Sequence, residues 1–260
     1  MPLAQTRWNG PMSRVIFAPV DLLIRTISFA PTLMLLLLVV PDGYVAYLLF
    51  RQTTASVQFS EAEADGVTYI DASQRFLSEL QHRRLALRLA ALDPSLAGAV
   101  AESTQRCDTA EAVVDAVDAR FGGELKTTAT WSDIKKRYEA LKAMDSADPE
   151  KVDKAQADLG ASLQTDLIMN QAGNNSNLIL DPDLDSYWMM DSYVIKLPAL
   201  GELVAQAGAQ SATGLHAASV DPETRLDLAG ELKIISSTTS DLINVDLKTA
   251  LDDNETYNDS

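Results

Sequence analysis

Residues 29–50, FAPTLMLLLLVVPDGYVAYLLF, make a run of 22 positions with one charge, Asp42. A helix rises 1.5 Å per residue, so such a run reaches roughly 33 Å, enough to cross a hydrocarbon core of about 30 Å. A chain with this run must sink it in lipid or hide it in a large core. Two features oppose lipid. Pro41 and Gly43 interrupt the run, and Asp42 costs roughly 2.5–3.5 kcal/mol near a bilayer centre. The apolar segments on either side, 33–40 and 44–50, outweigh one acid, the more so where a partner helix receives its carboxylate. A cleaved secretory signal is the competing reading, because eight apolar residues before a helix breaker resemble an h-region. The segment ahead of it is about thirty residues long, however, and no A-x-A-like site follows. The expectation is an uncleaved transmembrane helix over 29–50.

Charge divides at the same place. Residues 1–51 hold four basic side chains (Arg7, Arg14, Arg25, Arg51) and two acids (Asp21, Asp42), whereas the whole chain of 260 holds 21 Lys and Arg against 37 Asp and Glu, a net −16. The basic flank lies before the run, and Glu61, Glu63 and Asp65 come soon after it. By the positive-inside rule the N-terminus is cytoplasmic, which in a bacterium places the span in the inner membrane and residues 51–260 in the periplasm. The expected layout is a cytoplasmic segment 1–28, a span 29–50 and a periplasmic domain 51–260. Residues 15–29 mix Ile16, Phe17, Leu22 and Ile24 with Asp21 and Arg25, a pattern for either an interfacial helix or a flexible lead-in.

The acidic balance argues against a nucleic-acid partner, which needs clustered Lys and Arg to neutralise phosphates. One Cys and two His exclude an internal disulfide framework and leave too few soft ligands for zinc. No cofactor is expected. An apolar share of 47% is too high for a mostly disordered chain.

After residue 51 the sequence reads as helix throughout. Ala, Leu, Glu, Asp, Gln and Lys dominate, and no alternating β-branched runs appear. Proline corners divide it into about five helices. The first is expected over 52–92, stopped by Asp93-Pro94-Ser95. The second covers 96–144 with a break at Gly122-Gly123. Asp148-Pro149 opens a third to about 179, Asp181-Pro182 a fourth to about 210, and Asp221-Pro222 a fifth to about 251, each with an acid as N-cap and proline at the first helical position. The expected fold class is all-α: a transmembrane helix followed by an elongated antiparallel bundle, as either one module or two stacked ones.

Several segments bear on identity. Glu63, Gly66, Tyr69 and Ile70, then Phe76-Leu77-x-x-Leu80-Gln81-His82-Arg83, the run Asn177-Leu178-Ile179-Leu180-Asp181-Pro182-Asp183-Leu184-Asp185-Ser186-Tyr187-Trp188-Met189-Met190-Asp191, and Leu197-Pro198-Ala199-Leu200 resemble the periplasmic sensor region of bacterial methyl-accepting chemotaxis proteins. The same region also precedes histidine kinase and diguanylate cyclase outputs. The resemblance implies a receptor that works as a dimer and passes a small-molecule signal across the membrane. It further implies a second span, a relay and a cytoplasmic output beyond residue 260, so the sequence reads as the N-terminal piece of a longer receptor or as a gene product without its output. A membrane-anchored helical scaffold without ligand is the reading from a different class.

The candidate ligand-binding residues follow. His82, Arg83 and Arg84 sit mid-helix among leucines, where a guanidinium suits a ligand carboxylate or an ion pair with the acids of 181–185. Asn174 and Asn177 either line a polar pocket or mark a helix end. Tyr187 and Trp188, with Met189 and Met190, read as core before they read as a binding box. The ligand classes weighed are an organic acid, an amino acid and an amine. Asp181, Asp183 and Asp185 begin like a calcium loop, but the required Gly and closing Glu are replaced by Ser186 and Ser192, so helix capping explains them better. Arg120-Phe121-Gly122-Gly123-Glu124-Leu125 echoes the glycine-acid turn of diguanylate cyclases without its second acid or its strands. No phosphate loop, nucleophile elbow or phospho-accepting histidine box occurs, so no catalysis is expected.

Overall fold

The computed structural model describes residues 11–144, 148–180, 184–216 and 220–254. All regular structure among them is helical, in agreement with the all-α expectation. The chain divides into two units, Met1–Gln58 and Phe59–Ser260.

In the first unit the chain forms the opening part of α1, an unbroken helix over Pro11–Leu92. Helix continues through Pro31 and Pro41, although each proline removes one backbone donor. From Leu33 to Phe50 the large apolar side chains all face outward; Met34 is 66% and Phe50 73% exposed. Water would not tolerate so much unburied leucine and valine on one helix. Among the described residues this helix is long and apolar enough to cross a membrane.

The second unit is a helical bundle. After α1, a 3-10 turn at Pro94–Leu96 leads into α2 (Ala97–Phe121), and Asp93 caps that turn by accepting from the Ser95 amide at 2.9 Å. A corner then opens α3 (Thr128–Lys142). The next helix, α4 (Pro149–Ser162), is capped by Asp148 and runs on as a wide π turn over Leu163–Gly173. Next, α5 (Leu184–Met190) passes through a second wide turn, Asp191–Lys196, into α6 (Leu197–His216). Finally α7 (Pro222–Asp241), capped by Asp221, passes through a third, Leu242–Leu247, into α8 (Lys248–Asp253). Asp181 to Asp183 lie outside the described residues, so the cap read there is not described.

Direction is legible from the cross-links. Tyr69 reaches Asp118 while Arg83 reaches Thr104, so α1 and α2 run antiparallel. Trp131 meets Asp115 while Lys142 meets Asp108, and Gln171 meets Thr130 while Arg137 meets Ser162, so α3 and α4 alternate in turn. The α5–α6 rod runs parallel to α1, with Gln74 on Tyr193 and Gln81 on Glu202. The α7–α8 rod returns against it, with Gln210 on Glu231 and Lys196 on Asp246.

Buried side chains recur every three or four residues, which places each helix's apolar stripe on one face. Tyr69, Phe76 and Leu80 come from α1, Cys107, Val114 and Phe121 from α2, Trp131, Ile134, Tyr138 and Leu141 from α3, and Leu159, Leu163 and Leu167 from the α4 rod. The Phe76 ring meets Trp131 and Tyr138 edge to face, with centroids 5.6 and 5.3 Å apart.

Gly122 and Gly66 are among the glycines fixed by close approach. A Cβ on Gly122 would overlap Asp118 and Thr128, because the α2–α3 corner folds tightly over the buried Asp118, whose Oδ1 accepts from Tyr69 and Thr127. The glycine-acid echo at 120–125 is therefore a helix corner. A Cβ on Gly66 would overlap the fully buried Ser176 where α1 crosses the end of the α4 rod. Gly66→Ala is expected to lower stability by roughly 1–2 kcal/mol through overpacking, as measured by urea unfolding followed by circular dichroism.

Candidate functional site

The cavity of interest lies where the last turns of α1 meet the Pro94 corner and the first turns of α2 and α4. It encloses about 380 Å³ and is lined by Arg84, Leu87, Arg88, Ala90, Ala91, Pro94, Ala97, Val100, Val152, Asp153 and Gln156. Local sequence explains each contribution. Residues 84, 87, 88 and 91 fall on one face of α1 by helical spacing. Asp93-Pro94 ends α1 and swings Ala97 and Val100 across the cavity, and the Asp148-Pro149 start of α4 sets Asp153 and Gln156 opposite the arginines. Alanines at 90, 91 and 97 leave the space open.

The polar wall is an ion network. Arg84 grips Asp153 in a fork, Nε to Oδ1 at 2.7 Å and Nη2 to Oδ2 at 2.9 Å. Arg88 makes the same fork on the same carboxylate, at 2.8 and 2.6 Å. Arg84 Nη1 also donates to Glu202 on α6. Burial pushes the Asp153 carboxyl up, but the bonds from Arg84 and Arg88 outweigh it and hold the group well below the ordinary aspartate range. The Arg84 guanidinium is raised, first by its bonds to Asp153.

Behind this wall lies Arg83, only 5% exposed. Its Nε donates to Thr104 Oγ1 at 3.0 Å and its Nη1 to Gln156 Oε1 at 3.1 Å, and both partners are neutral. Among the described residues no carboxylate lies within ion-pair distance of it. Gln156 in turn donates to the Leu80 carbonyl. Arg84 and Arg88 thus face Asp153 and Glu202, two guanidinia to two carboxylates, while the charge of Arg83 is felt at Asp108, whose carboxyl it helps to lower.

The other expected site residues lie elsewhere. His82 is on the opposite side of α1, its side chain 59% exposed and 3.5 Å from Glu79, on the rim of a shallow groove with Leu85, Leu89 and Leu96. Asn174 is exposed and donates back to the Asn170 carbonyl at 3.2 Å. Asn177 has φ 65°, a left-handed conformation that Asn tolerates, and it ends the α4 rod. These asparagines mark a helix end. Tyr187 and Trp188 stack edge to face on α5 with centroids 5.5 Å apart, and Lys196 sits 5.6 Å from the Trp188 ring. The core reading of 187–190 holds for Met190, which is buried, and in part for Trp188, which is half-buried with its Nε1 enclosed, whereas Tyr187 and Met189 are exposed. Arg84 pairs with Asp153 and Glu202; of the 181–185 acids weighed as partners, Asp181 and Asp183 lie outside the described residues. Asp185 accepts instead from Asn254 at 2.7 Å. Cys107 is fully buried and its thiol is pushed up to about 12 by burial, which makes it inert.

Sequence reasoning missed Arg88, Asp153, Gln156 and Glu202. Arg88 had a local signal, being four residues after Arg84 on the same helix face. Asp153 and Glu202 had none, since they join the site from 65 to 118 residues away.

The arrangement suits an anion with a short apolar body: guanidinium donors at one wall, aliphatic side chains on the others, and a volume at the lower end of the range for small-molecule pockets, about 300–1,000 Å³. Compared with protein-family models, curated proteins and solved structures, the chain matches none.

Proposed function

We propose that the chain is the ligand-sensing part of a transmembrane signal-transduction receptor of the chemotaxis-transducer type. Its ligand is a small carboxylate held in the Arg84–Arg88 cavity. The observation that carries this reading is the cavity itself, with two forked guanidinia and a buried third, Arg83, kept without a carboxylate partner among the described residues. A buried guanidinium is costly to keep, and a fold with no use for anions would do as well with a hydrocarbon there. Guanidinium donors along one wall favour an acid over an amine. The apolar stretch of 29–50 is read as an inner-membrane anchor. Ligand-driven resetting of α1 against α4 is then passed inward as a small piston or tilt motion, within a dimer.

The test is a melting experiment on the full chain in lipid nanodiscs, with butyrate, benzoate, succinate, an amino acid and an amine as probes. A ligand at about a hundred times its Kd stabilises the native state by about 2.7 kcal/mol, which for a domain of this size raises the melting temperature by about 5–10 °C. The expected result is such a rise with a carboxylate and none with the amine. No rise with any carboxylate would overturn the reading.

A further inference from the structure

We propose that Glu202 is a built-in competitor for the cavity: an entering carboxylate displaces its side chain from Arg84 Nη1 and so releases α6 from α1. This rests on the cavity being the ligand site.

The two acids on the arginine pair are held unequally. Asp153 takes four N–H bonds, two from each guanidinium, and its side chain is 17% exposed. Glu202 takes one guanidinium bond, from Arg84 Nη1, and its side chain is 33% exposed. Its other contacts are neutral amides, Gln206 Nε2 at 2.9 Å and Gln81 Nε2 at 3.4 Å. A carboxylate arriving in the cavity meets Arg84 as a lining residue and can replace Glu202 charge for charge. Replacing Asp153 would mean breaking both forks at once. Glu202 is therefore the exchangeable acid.

Release would be local. Glu202 belongs to α6, and the cavity lining comes from α1, α2, α4 and the corner between α1 and α2. The wide turn ahead of α6 stays tied, because Gln74 Nε2 donates to the Tyr193 carbonyl at 2.8 Å and Gln164 Nε2 to the Val194 carbonyl at 2.7 Å. That turn, Asp191–Lys196, is fixed from both α1 and the α4 rod, whereas among the described residues the side-chain bonds from the first half of α6 to α1 run through Glu202. A π turn at such a junction is a natural pivot. Binding at the arginines is thereby converted into freedom of the α6–α7 hairpin.

The experiment uses the full chain in nanodiscs with butyrate and benzoate as probes, read by calorimetry and by hydrogen exchange. Glu202→Gln keeps the side chain's size and removes the competing charge, so the carboxylate Kd should fall about tenfold. In the wild type, saturating butyrate should speed amide exchange over 197–206 while slowing it in the last turns of α1 and the first turns of α4. The exchange measurement needs no variant, and E202A supplies a second one. Unchanged or weaker binding by both variants, or slower exchange over 197–206 with the rest of the bundle, would overturn the proposal while leaving the ligand site standing. If the wild type binds neither probe nor succinate, the site reading falls and this proposal with it.

Discussion

Replacing Phe76 by alanine should lower the unfolding free energy of the bundle by about 3–5 kcal/mol. Phe76 is fully buried on α1 and holds its ring edge to face with both Trp131 and Tyr138 of α3. Truncation removes the transfer energy of the ring, leaves a cavity between two helices and deletes two aromatic contacts. The neighbours Tyr69, Leu80, Ile134 and Tyr138 are themselves fully or almost fully buried, so the hole has little means of collapsing. Denaturant unfolding followed by circular dichroism reads the loss directly. A cost below about 1 kcal/mol would show that α1 and α3 do not share this core.

The second large effect concerns Asp153. Asp153→Asn should cost about 3 kcal/mol, because two guanidinia that now share one carboxylate are left facing each other across an amide. Arg84 is 11% exposed, which limits how far water can compensate, whereas Arg88 at 33% can turn partly outward. The same residue sets an acid limb. Its folded-state pKa is depressed below the ordinary 3.8, so its contribution is fully present above about pH 5 and is lost as pH falls through the folded value. Between neutrality and about pH 5 the network should contribute a constant amount. Below that, wild-type stability should fall more steeply than that of D153N, and parallel acid limbs would show that the forks carry no weight.

What could be read from sequence was what local chemistry determines. The corners at Asp93-Pro94, Asp148-Pro149 and Asp221-Pro222 appear where they were expected, because a short acid followed by proline both ends one helix and caps the next within three residues. The break after Gly122 was legible for the same reason, although its cause, the approach to Asp118, was not. The three wide turns at 163–173, 191–196 and 242–247 leave no local mark, since one extra residue in a turn changes neither composition nor capping. The site was half visible. Arg83 and Arg84 stood out as charges among leucines, but which acids meet them depends on α4 and α6 arriving from distant sequence. Asn174, Asn177, Tyr187 and Trp188 are polar or aromatic clusters in sequence, and the structure puts the asparagines at a helix end, Tyr187 on the α5 surface and Trp188 half-buried beside it.

The receptor reading requires residues 51–260 to face outward while 29–50 lie in lipid, and one labelling measurement tests that. Ala119 is exposed on α2, and the native Cys107 is fully buried and contributes no background. An Ala119→Cys variant should react with a membrane-impermeant maleimide in intact spheroplasts as fully as after lysis. Labelling only after lysis would place the arginine cavity in the cytoplasm and contradict the reading of this protein as a sensor of external anions.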